Sequence, residues 1–530
     1  MRDDEQKIFV SIAAYRDPEL APTLDDCLAK ARFPERLCFG ICWQHAPDET
    51  PLQWFSDPRF RVFDVDWRAG KGACWARAEI MKLWDGEDWF LQLDSHHRFA
   101  QDWDVKLIEQ ARATKSPKPI LTSYVTSYTP GDPRLDDEPM RMEFDFFSEE
   151  GLVLFRPGAI PEADRGGAPV RSRFLSAHFL FAPGAFVREV PYDPRLYFWG
   201  EEITLTVRAF TWGYDLFHPS EMIVWHEYTR QNRTKHWDDN AETFAALDPP
   251  SRARAAKLLV EPHRGPFGCG DVRTVADYEA YAGLSFVHRR AQDFTRRHFC
   301  PPNPPADPDW VDRVRDWTID VSFDASALPR EARENAHFWY VGFLDAKGEE
   351  IFRRDADAEE IAKLLAGDSD WIELTRKFQS EVEPVAWVVW PCGKTEGWLQ
   401  KLTGAIVDGR GEIDDNETPF PPQLAEAESL DGYYPRSVKS LIRTKVEGGF
   451  MVALPERPDQ PHFINNTGAL LLELANGRLS LAEIIDVGHG VAPPSPARKT
   501  EILQFFETAA AERLIRLSAR KEGAGQWMTH

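Results

Sequence analysis

Cysteine is scarce in this 530-residue chain: there are seven, an odd number, scattered and without a Cys-x-x-Cys pair. Neither a disulfide framework nor a structural zinc site is indicated, which predicts a reducing, cytoplasmic setting. Long apolar runs are missing too. No stretch reaches the roughly 18 residues that a membrane-crossing helix needs, and the opening "MRDDEQKIFVSIAAYRD" lacks the basic flank and apolar centre of a secretory signal. Positive charge is in deficit: 63 Lys and Arg against 86 Asp and Glu leave a net charge of −23. Such a field repels polyphosphate backbones and anionic lipid, so neither nucleic acid nor membrane is expected as a partner. Any anionic ligand must be held locally, by a metal or by a few placed cations. Internal repeats are also lacking.

What is present is enough apolar material, 43% of residues, for several cores. Two breaks in composition divide the chain. "CPPNPPADPD", residues 300–309, has five prolines in ten residues and predicts a stiff, non-helical connector. Residues 407–435 are acidic, rich in Pro and Gly and poor in periodic apolar residues, as a linker would be. The expected domains are residues 1–300, 310–406 and 436–530, with 407–435 between the last two.

In the first block, apolar strands alternate with helical patterns. "KIFVSIAAY", "RLCFGICWQ", "FRVFDVDW", "WFLQL" and "PILTSYV" read as strands; "PELAPTLDDCLAKA", "GACWARAEIMKLW" and "DWDVKLIEQARA" read as helices. Strands that are apolar all round, separated by amphipathic helices, predict an α/β fold with a mostly parallel sheet covered on both faces. Ligands bind such sheets beyond the carboxyl ends of the strands. Asp94 follows the apolar run 89–93 directly, and Ser95, His96 and His97 come next. An Asp and a His two apart at a strand end can share a divalent cation, and a carboxylate with an imidazole suits Mn²⁺ or a similar ion. The plainer alternative is that Asp94 caps a turn and both histidines are exposed. Further on, Glu201 and Glu202 follow an aromatic-Gly turn and open a helix, "EEITLTVRAFTWG", where carboxylates suit the dipole. His226 ends another apolar run, "MIVW".

The motifs "VSIAAYRDPEL", "GACWARAEIMKLW", "WFLQLDSHHRF", "FWGEEITLTVRAFTWGYDLFHP" and "VWHEYTR" occur in this order over about residues 7–235. Together they resemble the GT-A-fold GlcNAc transferases, which modify hydroxyl groups of cytoplasmic polypeptides from UDP-GlcNAc. The resemblance implies roles. Asp94-Ser95-His96 would stand as the Asp-x-Asp-type motif, with Asp94 on the ribose and metal and His96 in place of the second carboxylate. That replacement puts the choice between Mn²⁺ and Mg²⁺ in question. His226 would be a further metal ligand. Arg77 and Lys71 would meet the diphosphate, and Ser11, Ala13 and Arg16 would face the uracil and ribose. Glu201 or Glu202 would orient the sugar and acceptor in a retaining reaction, or serve as general base in an inverting one; both outcomes stay open.

The last block has a hairpin pattern around Gly448-Gly449, then a short strand and two helices. Asn466 or Thr467 is the expected cap of the first helix, with Leu470, Leu471 and Leu474 facing inward and Gly477 ending it. A closing amphipathic helix would bury Leu503, Phe506 and Leu514. This α+β winged-helix pattern resembles the PqqD-like peptide-recognition domains, which implies a precursor peptide held by its leader as an added strand. The middle block is β-rich, with Trp310, Trp317, Trp339, Trp371, Trp387, Trp390 and Trp398 expected mainly in its core. The functional expectation is transfer of GlcNAc, or another hexose, from a UDP-sugar to a side-chain hydroxyl of a ribosomal precursor peptide. The alternatives are a degenerate fold that only presents peptides, and a metal-dependent hydrolase.

Overall fold

The computed structural model describes residues 6–132, 137–229, 233–366, 371–407, 410–412, 434–437, 441–446, 448–454, 461–475, 479–491, 496–511 and 514–518. The chain divides into two compact units, Met1–Arg315 and Asp316–His530.

The first unit opens with β1 (Ile8–Tyr15), α1 (Leu20–Lys30), β2 (Leu37–His45), β3 (Phe60–Asp66), α2 (Ala73–Met81), β4 (Trp89–Asp94), β5 (His97–Phe99) and α3 (Trp103–Ala113). It continues with β6 (Pro119–Thr122), the hairpin β7 (Met140–Phe147) and β8 (Val153–Ala159), and β9 (Val170–Arg171). Then come β10 (Phe179–Pro183), the short α4 (Phe186–Glu189), α5 (Glu201–Thr211), β11 (Asp215–His218) and β12 (Val224–His226). Eight strands form one sheet in the order β3-β2-β1-β4-β10-β6-β11-β9. β1 runs parallel to β2 and β4, β2 parallel to β3, and β6 parallel to β11. β10 runs against both of its neighbours.

The apolar sequence of these strands follows from burial on both faces. Every residue of β2 is buried. In β1, Phe9 joins a core with Ile80, Phe90, Ile203 and Val207, while Val10 and Ile12 join another with Leu24, Trp103 and Leu107. One face is therefore covered by α2 and α5, the other by α1 and α3. This is the α/β arrangement expected of a GT-A domain. The strand expected over 119–125 stops at Thr122, because β10 and β11 pair with β6 only as far as Leu121 and Thr122. Residues 300–309 are non-helical, as expected. No helix among the described residues is long and apolar enough to cross a membrane.

The second unit contains a largely antiparallel sheet ordered Glu350–Arg353, Ala336–Leu344, Ala386–Gly393, Leu402–Val407, Arg410–Glu412, Arg315–Asp324 and Trp371–Ser380. Trp339 and Trp387 are fully buried in its core. Trp398, expected there, is 49% exposed. The linker expected over 407–435 is interrupted at both ends: Arg410–Glu412 is a strand, and Tyr434–Ser437 pairs with Ile515–Ser518. Most of the rest of it lies outside the described residues.

Near the chain's end, Ile442–Val446, Gly449–Ala453 and His462–Asn465 form an antiparallel sheet in that order. The expected hairpin is there, with Gly448 at φ +83°, a backbone conformation that suits glycine. Helices Asn466–Leu474, Leu481–Val491 and Pro496–Ala511 follow, and Leu471, Ile484, Leu503, Phe506 and Leu514 share one core. Three expectations are corrected. The first helix is capped by Asn465, whose side chain accepts the Gly468 N–H at 2.8 Å, one residue before the expected cap. Leu470 is 49% exposed, because the buried stripe runs through Leu471 and Leu472. The last helix stops at Ala511, so Leu514 is buried by the chain leading into strand Ile515–Ser518. Gly477 lies outside the described residues.

Candidate active site

The carboxyl ends of β1 and β4 lie side by side, with Ala13 opposite Asp94 in the ladder. Three residues past Asp94 the chain enters β5, which pairs antiparallel with β12 so that His97 faces His226. The Glu227 N–H donates to the His96 carbonyl at 3.1 Å, and the His226 N–H to that of Thr126 at 3.0 Å. Main-chain bonds thus hold two stretches, more than a hundred residues apart in sequence, against each other.

The result is a group formed by Asp94, His96 and His226, whose ligand atoms all lie within 4.8 Å of one another. Asp94 Oδ2 is 3.5 Å from His226 Nε2 and 3.7 Å from His96 Nε2. Its Oδ1 accepts from Arg77 Nη2 at 2.7 Å. Burial alone would push the Asp94 carboxyl up. The His226 ring and the Arg77 guanidinium outweigh that and hold it well below the usual carboxylate range. His96 and His97, exposed on the plainer reading, are both buried. Burial, with the neighbouring rings, keeps His97, His178 and His226 well below the ordinary imidazole value, so each is neutral and offers a lone pair.

Among the described residues, neither ring nitrogen of buried His226 has a hydrogen-bond partner. A buried orphan of this kind calls for an explanation. A divalent cation supplies one for Nε2, the nitrogen that faces Asp94, and one carboxylate with two imidazoles is a donor set that first-row divalent ions, Mn²⁺ among them, accept.

α5 brings in the paired acids. Gly200, at φ +87°, makes the turn before it, and a Cβ there would sit 2.6 Å from the Ala255 methyl. Glu202 is then fixed: Tyr124 Oη donates to it at 2.6 Å and the Ala177 N–H at 2.8 Å. Glu201 is buried, and its side chain makes no hydrogen bond among the described residues. Burial, and next the neighbouring Glu202, raise its pKa.

The other expected residues divide. Arg77 is at the site, bonded to Asp94 through Nη2, and its buried Nε and Nη1 have no partner among the described residues. Arg16 is at the end of β1 but is engaged by Asp239 at 2.6 Å and stacks over Trp67. Ser11 lies within β1, opposite Gly40 and Gln92 rather than at the strand's end, and is buried. Lys71 is exposed, its nearest aromatic being Trp75 at 5.8 Å.

Sequence reasoning missed His178, Tyr228, Asp17 and Arg233. The His178 ring stacks 4.4 Å from that of His226, and the Tyr228 ring meets His226 edge-on at 4.3 Å. His178 precedes β10, which runs antiparallel, so the strand's start reaches the edge where its neighbours end. A His just before "FLFAP" was the available signal, but it has meaning only once the strand's direction is known. Asp17 Oδ2 lies 2.7 Å from His96 Nδ1, and Arg233 Nη2 pairs with Glu227 at 3.0 Å.

The family model for glycosyltransferase (GlcNAc) matches residues 7–56 and 48–288. Among solved structures, the chain is similar to GalNAc-T7 with UDP, GalNAc and Mn²⁺, at 14% identity and a TM-score of 0.33, over 52% of this chain and 54% of that one. The match thus spans about half of GalNAc-T7. It is also similar to S. aureus TarS 1-349, at 14% identity and a TM-score of 0.33, over 56% of this chain and 72% of that one. TarS 1-349 in complex with UDP-GlcNAc aligns at 13% identity and the same TM-score, over 56% and 73%. No curated protein matches the chain.

Proposed function

The chain belongs to the GlcNAc glycosyltransferase family, and from that premise we propose that it moves GlcNAc from UDP-GlcNAc to a side-chain hydroxyl of a precursor peptide. The observation that carries this reading is the convergence of Asp94, His96 and His226 at the carboxyl edge of the sheet. These three would hold a divalent ion such as Mn²⁺, which when bound neutralises charge on the departing nucleotide diphosphate. The chain's own residues do the rest. Arg77 keeps Asp94 ionised and turned into the site, and its free Nε and Nη1 suit a phosphate oxygen. Ala13 and Arg16 border the position expected for ribose and base. Glu202, fixed by Tyr124 and Ala177, shapes the wall. Glu201, its pKa raised toward the working range, is able both to give and to take a proton at a sugar or acceptor hydroxyl.

The peptide half of the proposal rests on the C-terminal three-stranded sheet. His462–Asn465 is an edge strand of it, and Phe463 is 56% exposed. An edge strand with an exposed aromatic suits main-chain pairing with an extended leader. Holding the leader would raise the acceptor's effective concentration at the site. Truncation after Glu412, which keeps the large sheet of the second unit whole, tests this half: UDP-sugar hydrolysis should persist while modification of the full precursor, followed by mass spectrometry, is lost. Equal precursor turnover without residues 413–530 contradicts it.

A further inference from the structure

We propose that Asp17 is a positioning residue that sets the tautomer of His96, and so decides whether position 96 offers its lone pair to the centre of the site. The inference rests on reading Asp94, His96 and His226 as a cation site. It concerns a residue to which the family motifs above assigned no role.

Asp17 is almost wholly enclosed, with 3% of its side chain exposed. Its Oδ2 lies 2.7 Å from His96 Nδ1 and 2.6 Å from Ser95 Oγ, and its Oδ1 accepts the Glu19 N–H at 2.9 Å. An ionised carboxylate can only accept, and a neutral imidazole donates from one nitrogen and accepts at the other. Nδ1 therefore carries the proton, and the lone pair is on Nε2, the nitrogen 3.7 Å from Asp94 Oδ2. Arg233 Nη1, 2.6 Å from Nδ1 and 2.7 Å from Nε2, is about equally close to both nitrogens and does not distinguish them, so the assignment rests on Asp17.

A carboxylate behind an imidazole fixes the ring's orientation and raises its basicity, and removing such a partner typically weakens metal binding about 10–100-fold. His226 has no equivalent among the described residues, where its Nδ1 is unpartnered. The two histidines are thus unequal: a carboxylate stands behind one ring, and the other is held by packing against neighbouring rings. Position is supplied by Arg16, whose left-handed φ of 45° turns the chain sharply at the end of β1 and brings Asp17 behind His96.

A purely structural role for Asp17, tying Ser95 and Glu19 together, is separated by Asp17→Asn. Asparagine keeps an acceptor for the Glu19 N–H, but its amide can donate to Nδ1, which favours the Nε2–H form. In ¹H–¹⁵N spectra of the full-length, metal-free protein, with His96 assigned through His96→Gln, His96 should be the Nδ1–H tautomer. In Asp17→Asn the Nε2–H form should gain, and affinity for Mn²⁺ alone should fall about 10–100-fold at an unchanged thermal midpoint. A wild-type His96 protonated on Nε2 would overturn the inference, and that measurement stands even if the variant does not fold. Equal Mn²⁺ affinity in Asp17→Asn would also overturn it. Failure of the wild type itself to bind Mn²⁺ would instead remove the cation site, leaving the tautomer to report on Asp17 alone.

Discussion

The two units each contain a large sheet, and the sheets put their polar residues in different places. In the first, β2 is buried from end to end and β4 through Leu93, and the polar residues appear where the strands stop: Arg16 after β1, Asp94 at the end of β4, His226 at the end of β12. In the second, strand Trp371–Ser380 alternates buried and exposed residues, with Glu373, Thr375 and Lys377 outward and Ile372, Leu374 and Phe378 inward. The central strands of a sheet covered on both faces have little room for charged groups except at their ends, so that is where they collect. A sheet with one wet face spreads them over the face, and among the described residues no group of ligand atoms forms there. The family match ends at residue 288, within the first unit.

The comparison can be broken most severely at the edge. His226→Ala removes a buried ring without touching either core, and should lower sugar transfer by more than about 100-fold while leaving the thermal midpoint near the wild-type value. The next effect is in the interior. Leu91→Ala, in a strand covered on both faces, should cost about 2–5 kcal/mol in denaturant unfolding of the first unit. Glu373→Gln, on the wet face of the second sheet, should stay within about 0.5 kcal/mol. Comparable costs for the two would contradict the contrast drawn here.

A smaller effect follows from Glu201. Its pKa is raised on folding, so above the ordinary carboxylate range the unfolded chain loses a proton that the folded protein keeps. Stability from this group therefore falls as pH rises from the ordinary glutamate value through the raised one, and is unaffected below both. Glu201→Gln cannot ionise. Its thermal midpoint relative to wild type should be level in acid and should rise with pH across that window. A difference that shrinks with pH would refute the assignment.

Much of the first sheet was legible in the sequence because burial on both faces leaves an unmistakable apolar strand and an abrupt polar end. β1 to β4, α1 to α3 and the edge position of Asp94 could be read that way. His226 could be placed beside Asp94 only through motif order, since the pairing of β12 with β5 is a long-range event. His178 was hidden by the antiparallel direction of β10. Asp17 was hidden because its partner, His96, is 79 residues away. In the C-terminal part, helix periodicity marked Leu471, Leu503 and Phe506 correctly but assigned Leu470 to the core, where the packed stripe is one residue over. Leu514, expected on the closing helix, instead leads into strand Ile515–Ser518, whose partner Tyr434–Ser437 sits far upstream and leaves no local signal.

The central claim is tested most directly by titrating the full-length protein with Mn²⁺ in the presence of UDP, following free ion by electron paramagnetic resonance. One ion should bind per chain in the wild type, and none with comparable affinity in Asp94→Ala or His226→Ala. Binding of equal strength in all three proteins, or none in the wild type, would contradict it.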